Sequence, residues 1–96
     1  MTVYVIGQLD IHDPEGYRAY LDGFAPSFER HGGTLLASSA QPTHVLEGHW
    51  DAPRTVVMSF PDMDHARAWY DDPEYRALCA IRERTARTNL VIVEGI

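Results

Sequence analysis

The sequence predicts an α+β fold in which an antiparallel sheet carries its helices on one face. Two observations support this class. Short segments rich in β-branched and apolar residues alternate with segments of helical periodicity along the 96 residues. In addition, the letters D-P-E open two of the helical segments, at Asp13 and at Asp72. A chain of this length suits one domain, which we expect to span residues 1–96.

The first half of the chain predicts a strand followed by a helix. In residues 3–11 one face is continuously apolar and the other becomes polar. Asp13 suits a helix cap, and the proline after it fits the first turn. Apolar side chains then form one helical stripe, at Tyr17, Tyr20, Leu21, Phe24 and Phe28. Pro26 is expected to kink this helix without ending it, and Gly32 and Gly33 indicate its end.

The second half repeats this order with more elements. Extended segments are predicted at residues 34–38, 43–47 and 55–60, and a hairpin loop at residues 48–54. Two helices follow, capped by Asp62 and Asp72, and residues 89–94 form the last strand. The resulting order is β-α-β-β-α-β, with a pair of helices in the second half. This is the ferredoxin-like order, in which the helices cover one face of the sheet.

The face of the predicted sheet that points away from the helices is also apolar. It carries Tyr4, Ile6, Val57, Val91 and Val93. An exposed sheet face of this composition is typical of an interaction surface. A twofold dimer whose sheets pack face to face would cover it, so we expect a homodimer.

Charge and cysteine content argue against several classes of function. The net charge is -6, and an acidic surface disfavours nucleic acid and anionic lipid as partners. The one cysteine, Cys79, has no partner for an internal disulfide. The N-terminus lacks the pattern of a signal peptide, and no apolar segment approaches the roughly 20 residues of a spanning helix. We therefore expect a cytoplasmic protein that binds neither nucleic acid nor membrane.

Five separated blocks of sequence, in order along nearly the whole chain, resemble the DUF1330 family. They are G-Y-R-A-Y-x-x-x-x-A-P-x-F-x-x-H-G-G from Gly16, V-L-E-G from Val45, F-P at Phe60, A-R-A-W-Y-x-D-P-E-Y from Ala66 and V-x-V-E-G from Val91. The resemblance implies a dimeric α+β barrel, in which the sheets of two ferredoxin-like subunits form a barrel across the dimer. It also implies a pocket between helices and sheet. Relatives in that superfamily include cofactor-independent monooxygenases, but none of their catalytic motifs matches here, so no residue role is transferred.

Aromatic side chains on the predicted helices are candidates for lining that pocket. We predict ligand-binding roles for Tyr17, Tyr20, Trp69 and Tyr75, which lie on buried helix stripes. The alternative is that these rings only pack the core. His31, at the end of the first helix, is the candidate catalytic residue, because an ordinary histidine pKa of about 6.5 suits a general acid or base. The alternative role of His31 is to cap the end of its helix.

The predicted hairpin loop gathers a second set of polar candidates. It contains Glu47, His49, Trp50 and Arg54, of which Trp50 and Arg54 are predicted to bind ligand. An indole and a guanidinium together suit a small aromatic or acidic compound. The alternative is a solvated loop anchored by its tryptophan. The five histidines of the chain show no spacing typical of a metal site, so neither a metal nor another cofactor is predicted.

Three functions remain open from the sequence. The protein could be a cofactor-independent enzyme that acts on a small aromatic or carbonyl compound in the pocket between helices and sheet. It could be a homodimer that binds a small molecule without turnover, or a structural or stress-associated dimer without a ligand. A cavity of a few hundred cubic ångströms with convergent polar groups would favour the first two. A closed core at Tyr17, Trp69 and Tyr75 would favour the third.

Overall fold

The protein is described by a computed structural model that covers residues 1–96. Four strands and three helices follow one another in the order β-α-β-β-α-α-β. Their bounds are β1 Val3–Ile11, α1 Pro14–Arg30, β2 Thr34–Ala37, β3 Arg54–Phe60, α2 Met63–Asp71, α3 Pro73–Thr85 and β4 Ala86–Glu94. The predicted order of elements is confirmed, including the pair of helices in the second half.

The four strands form one antiparallel sheet in the order β2-β3-β1-β4. Strand β1 lies inside the sheet, where Val5 pairs with Met58 of β3 on one side and with Ile92 of β4 on the other. The hydrophobic core joins side chains from one face of this sheet to side chains from all three helices. The helices therefore cover a single face, and the fold is ferredoxin-like, as the sequence predicts.

The connection between β2 and β3 differs from the prediction. Residues 43–47, predicted to be extended, join no strand, and the connection contributes only an isolated bridge between Pro42 and Arg54. A proline has no N–H to donate to a sheet ladder, which limits pairing where Pro42 and Pro53 stand. Apolar side chains of this connection consequently stay exposed, Leu46 most of all at 96%.

Side-chain caps begin the helices where the sequence predicts them. The carboxylates of Asp13, Asp62 and Asp72 each accept a hydrogen bond from a backbone N–H two or three residues later, at 2.8–3.0 Å. Each such bond satisfies a donor that the first turn of a helix leaves free. Helix α1 continues through Pro26 to Arg30.

An aromatic cluster fills the space between the sheet and the helices. The ring of Trp69 lies at its centre, with centroid separations of 4.2 Å to Tyr75, 5.2 Å to Phe60 and 6.0 Å to Phe28. Trp69, Phe60 and Tyr75 are each 1% exposed. Aromatic pairs at such separations add about 0.5–1.5 kcal/mol each beyond the burial of their area. The aromatic residues between β3 and α3 therefore serve mainly as core.

Gly7 in β1 lets two neighbouring strands bring bulky side chains together. A Cβ atom at this position would lie 2.8 Å from Val56 Cγ1 of β3 and 3.0 Å from Leu90 Cδ1 of β4. These separations are shorter than an ordinary contact between carbon atoms. Gly7 therefore leaves room on the core face for the side chains of Val56 and Leu90.

The second face of the sheet carries no helix. Tyr4 and Ile6 of β1 lie beside Val93 and Val91 of β4, and Ile6 also lies beside Val57 of β3. Val91 and Val93 are 53% and 45% exposed. The apolar face predicted from the sequence is therefore present and open, and we call this set of five residues the open sheet face.

Candidate functional site

A small cavity lies between α1, α3 and the helix-covered face of the sheet. Its volume is about 80 Å³, and apolar side chains form most of its wall, among them Leu9, Phe24, Val56, Met58 and Leu90. The polar groups of the wall come from both helices and from the sheet, namely Tyr17, Tyr20, Ser38, Ser39, Tyr75, Arg82 and Thr88. An apolar enclosure with a few polar groups is the usual composition of a small-molecule site.

The cavity adjoins an open groove of about 520 Å³ at the edge of β2. Tyr17, Leu21, Ser38 and Ser39 line both spaces, so they form the mouth between them. Arg54 lines the outer groove and donates a hydrogen bond from Nη1 to the carbonyl oxygen of Ala40 at 3.1 Å. The cavity is therefore a pocket with one end on this groove.

Two tyrosine hydroxyls meet at the wall of the cavity. The hydroxyl oxygens of Tyr20 and Tyr75 lie 2.7 Å apart, and both residues are buried. Burial is the main cause that raises the pKa of Tyr20, and the neighbouring Tyr75 raises it further. Burial also raises the pKa of Tyr75, while the hydrogen bond from Tyr20 and the nearby Arg82 charge offset part of the increase. Both hydroxyls are therefore neutral at ordinary pH and act as hydrogen-bond donors.

Arg82 brings a permanent positive charge to the same cavity. The residue is only 7% exposed, and its Nε atom is buried without a hydrogen-bond partner. Its Nη2 atom donates to the Cys79 sulfur at 3.5 Å, which is a weak acceptor. The salt bridges of the molecule involve Arg30, His31, His65 and Arg87, and none involves Arg82. A guanidinium does not lose its proton in proteins, so this charge is buried without an acidic partner.

Thr88 of β4 adds a second unpartnered polar atom to the cavity wall. It pairs with Leu9 across the sheet and therefore faces the helices. Its Oγ1 atom is buried and makes no hydrogen bond. Arg82, Thr88 and Leu90 also border a shallower groove along the edge strand β4. The two orphaned polar groups, one on α3 and one on β4, thus lie at the same end of the cavity.

His31, the predicted catalytic residue, lies outside the cavity. It follows α1, and its Nε2 atom lies 2.8 Å from Oδ2 of Asp72, the residue that caps α3. Arg30 Nη2 lies 2.6 Å from the same oxygen. This cluster ties the end of α1 to the start of α3. A catalytic role for His31 stays a prediction, and the geometry gives this residue a structural partner.

We expect the charge of Asp72 to stabilise the fold at neutral pH and to lose this effect only in acid. Hydrogen bonds from His31, then from Arg30 and the Glu74 N–H, hold the pKa of Asp72 below the usual value of about 3.9. A carboxyl whose folded pKa is depressed stabilises the fold above its unfolded pKa, and the contribution disappears as pH falls through the folded pKa. The unfolding free energies of the wild type and Asp72→Asn should therefore differ at neutral pH, begin to converge below about pH 4 and become equal only below the folded pKa.

The neighbouring variant Asp71→Asn is the control for this measurement. Asp71 is exposed and forms no salt bridge, so its loss should leave the pH profile of the unfolding free energy unchanged. A wild-type advantage over Asp72→Asn that persists unchanged to about pH 2 would contradict the assignment.

The other predicted ligand-binding residues divide among four places. Tyr17, Tyr20 and Tyr75 line the cavity, and Arg54 lines the outer groove. Trp69 lies behind the cavity in the aromatic cluster, where its Nε1 atom is buried without a partner. Trp50 lies on the opposite side of the sheet, where Nε1 donates at 3.1 Å to the hydroxyl of Thr55. Because Thr55 pairs with Gln8 in the register of the open sheet face, Trp50 cannot contact a ligand in this cavity of the same chain.

Two residues of the cavity wall, Arg82 and Thr88, were not predicted as site residues from the sequence. Arg82 falls on the same apolar stripe of α3 as Tyr75 and Cys79. A charged residue on a buried stripe is itself a signal for a polar group in the core, because burial of an unpaired charge is unfavourable. Thr88 lies before the strand predicted at residues 89–94, and β4 in fact begins at Ala86.

No group of three or more histidine, cysteine, aspartate or glutamate side chains is arranged to hold a metal ion. None of the three helices combines the length and the apolar character that crossing a membrane requires.

The ferredoxin-like fold with a pocket between its helices and its sheet defines a class of small α+β proteins. Within this class, the chain belongs to the family described as "Domain of unknown function (DUF1330)", whose model matches residues 2–96. The family resemblance noted in the sequence is thereby confirmed.

Solved structures share this fold. The RPA0582 protein of unknown function from Rhodopseudomonas palustris has a TM-score of 0.77 at 21% identity, over 99% of this chain and 82% of that one. A dimeric ferredoxin-like protein of unknown function from Jannaschia sp. CCS1 has a TM-score of 0.67 at 17% identity, over 99% and 100%. SnoaB, a cofactor-independent oxygenase from Streptomyces nogalater, has a TM-score of 0.66 at 15% identity, over 99% and 93%. At these identities the likeness shows the fold alone. No curated protein sequence matches the chain.

Proposed function

We propose that the protein binds a small carbonyl or aromatic compound in the cavity between its helices and its sheet. The observation that carries this proposal is the pair of tyrosine hydroxyls, Tyr20 and Tyr75, at 2.7 Å in the wall of an apolar cavity. One hydroxyl of such a pair donates to the other, so the accepting hydroxyl keeps its own proton for a ligand oxygen. An apolar wall with one well-placed donor suits a molecule that has an apolar body and a polar end.

The volume of the cavity favours the carbonyl compound over the aromatic one. At about 80 Å³ the cavity is roughly half as large as the ~150 Å³ apolar cavity that holds benzene. A ketone or aldehyde of a few carbons is compact enough for this space. An aromatic ring would extend past Tyr17 into the outer groove.

As an enzyme, the protein would stabilise negative charge that develops on the bound carbonyl oxygen. A neutral tyrosine hydroxyl in an enclosed apolar site is a suitable donor to such an oxygen. The raised pKa values of Tyr20 and Tyr75, which arise mainly from burial, keep both groups protonated for this role. The existence of a cofactor-independent oxygenase with the same fold supports an enzymatic function by analogy of fold. No metal or other cofactor is part of this proposal.

The alternative function is a dimer without a ligand, in a structural or stress-associated role. Two observations favour this alternative: the cavity of about 80 Å³ is smaller than the few hundred cubic ångströms expected of a binding site, and Trp69 and Tyr75 are each only 1% exposed. The two functions are separable, because only a binding protein has a ligand that raises its stability.

Thermal unfolding in the presence of candidate ligands tests the proposal. A ligand at about 100 times its Kd stabilises the folded protein by about 2.7 kcal/mol. We expect short ketones or aldehydes to raise the Tm of the wild type more than aromatic acids and quinones do. The double variant Tyr20→Phe/Tyr75→Phe should lose most of this shift, whereas Tyr4→Phe, on the open sheet face, should keep it. If no compound shifts the Tm of the wild type, the ligand-free dimer is favoured.

We also propose that two copies of the chain associate through the open sheet face. The exposure of Val91 and Val93, 53% and 45%, supports an interface there, since exposed apolar patches mark interaction sites. A dimeric protein among those with this fold supports association in general.

The free thiol of Cys79 and the absence of a disulfide support the predicted cytoplasmic location.

Sedimentation equilibrium of the double variant Val91→Glu/Val93→Glu tests the interface. We expect a dimer for the wild type and a monomer for the variant, because carboxylates facing each other across a twofold axis repel and lose hydration. Ala77→Glu, on the exposed side of α3, is the matched control and should remain a dimer. A stable wild-type monomer at micromolar concentration would contradict the proposed interface.

A further inference from the structure

We infer that the ligand of the cavity is a short oxo acid, whose carboxylate binds Arg82 while its carbonyl oxygen accepts from the Tyr20–Tyr75 pair. This inference rests on the proposed carbonyl-binding function and adds the charge of the ligand to it. An oxo acid here means a short chain of a few carbons that carries one carboxylate and one ketone or aldehyde group.

The guanidinium of Arg82 carries a positive charge that no carboxylate of the protein pairs. Burial of a cation is unfavourable unless an anion or several hydrogen bonds compensate it. Arg82 is 7% exposed, its Nε has no partner and its Nη2 has only the weak acceptor of Cys79 at 3.5 Å. A guanidinium presents two parallel N–H groups that match the two oxygens of a carboxylate. The missing partner of Arg82 is therefore best supplied by a carboxylate ligand.

Thr88 supports the same position for the carboxylate. Its hydroxyl is buried, lines the cavity at the same end as Arg82 and has no partner. A hydroxyl can donate to an oxygen anion as readily as it accepts from a donor. One bound carboxylate would thus satisfy two buried polar groups that the protein itself leaves unsatisfied.

The position of the tyrosine pair indicates the second functional group of the ligand, its carbonyl group. Tyr75 and Arg82 are seven residues apart, so they lie on the same side of α3 with two turns between them. Both side chains line the same small cavity, whose volume is about 80 Å³. A molecule that spans both therefore needs a carboxylate and a carbonyl oxygen separated by only one or two carbons.

The rest of the molecule does not offer another anion site of this kind. The net charge of the chain is -6. A buried cation without an acidic partner is unusual in such an acidic protein. The exposed guanidinium groups of Arg30 and Arg87 already contact Asp72 and Asp51 at 2.6 Å. Arg82 is distinguished from them because it lines the cavity and forms no salt bridge with a carboxylate.

Calorimetric titration with four small probes tests the inference. Pyruvate and acetoacetate carry both groups, at two different separations; butanone lacks the carboxylate, and butyrate lacks the carbonyl. We expect one of the two oxo acids to bind the wild type about 10- to 100-fold more tightly than butanone, the range that a charge-assisted hydrogen bond contributes. The same oxo acid should bind about 2- to 10-fold more tightly than butyrate, the range of a hydrogen bond between neutral groups. Which oxo acid binds more tightly reports the separation of the two sub-sites.

Variants of Arg82 provide the decisive comparison. Arg82→Met should remove the preference for the oxo acid over butanone, whereas Arg82→Lys should retain part of this preference because it keeps the charge. Arg84→Met, an exposed arginine on the same helix, is the control and should bind as the wild type does. If Arg82→Met does not fold, the contrast between Arg82→Lys and Arg84→Lys supplies the same comparison.

Three outcomes overturn the inference in different ways. If butanone binds the wild type as tightly as the oxo acids do, the inference fails and the proposed carbonyl-binding function stands. If none of the four probes binds, the inference and the carbonyl-binding function fail together. An oxo-acid preference that persists in Arg82→Met would show that another group holds the carboxylate, and would also overturn the inference.

Discussion

Trp69→Ala is expected to lower the free energy of unfolding by about 3–5 kcal/mol, the usual range for removal of a buried aromatic side chain. The indole is 1% exposed and lies within 4.2–6.3 Å of five aromatic rings, contributed by α1, β3, α2 and α3. Its removal leaves a void where four elements meet, which the surrounding backbone cannot readily close. Natural domains have only about 5–15 kcal/mol of stability, so this change removes a large share of it.

Trp50→Ala is the matched control, because it removes the same side chain from a different environment. Trp50 is 42% exposed, contacts Thr55 through one hydrogen bond and lies outside the core. We expect a loss below about 1 kcal/mol for this variant, as for most partly exposed positions. Urea unfolding followed by circular dichroism measures both values. Equal losses for the two variants would contradict the central position assigned to Trp69.

The Tyr20–Tyr75 hydroxyl pair should show strong coupling in a double-mutant cycle. Tyr20→Phe or Tyr75→Phe alone leaves one buried hydroxyl without a partner, which costs about 1–3 kcal/mol. The double variant removes both hydroxyls and leaves neither unsatisfied, so its loss should be smaller than the sum of the two single losses. A coupling energy of about 0.5–3 kcal/mol is usual for residues in direct contact.

The free energies of unfolding of the wild type, the two single variants and the double variant measure this coupling. Tyr17 provides an internal comparison, since its ring lies 5.2 Å from that of Tyr20 but its hydroxyl does not join the pair. The variant Tyr17→Phe should therefore combine additively with Tyr75→Phe. Additive losses for Tyr20→Phe and Tyr75→Phe would show that each hydroxyl has another partner, such as a bound water.

Most of the fold could be predicted because its signals are local. The Asp-Pro-Glu starts at Asp13 and Asp72 act within a single turn of helix, and the alternation of β1 acts within a single strand. Such signals do not depend on distant parts of the chain. Residues 43–47 were harder to predict, because their pairing depends on whether a neighbouring strand is available and not on their own composition.

The candidate site could be predicted only in part. Helical periodicity indicated that Tyr17, Tyr20 and Tyr75 face inward, and all three line the cavity. It could not indicate that His31 would meet Asp72, a contact between residues 41 positions apart. The sequence also could not indicate on which side of the sheet Trp50 lies, since this depends on how residues 38–53 fold back. The position of Arg82 on the buried stripe of α3 could be predicted from the sequence. Its lack of a hydrogen-bond partner could not, because that depends on how the whole core packs.

The absence of a side chain at Gly7 has a consequence for the size of the ligands that the protein can accept. The two side chains that a methyl group at this position would displace, Val56 and Leu90, both belong to the wall of the cavity. Gly7→Ala would push that wall inward, and Leu90→Ala would move it outward without touching the tyrosine pair or Arg82. In the proposed site, the residues that set the length of the ligand therefore differ from those that recognise its chemical groups. The accepted length can be changed while recognition of the chemical groups is kept.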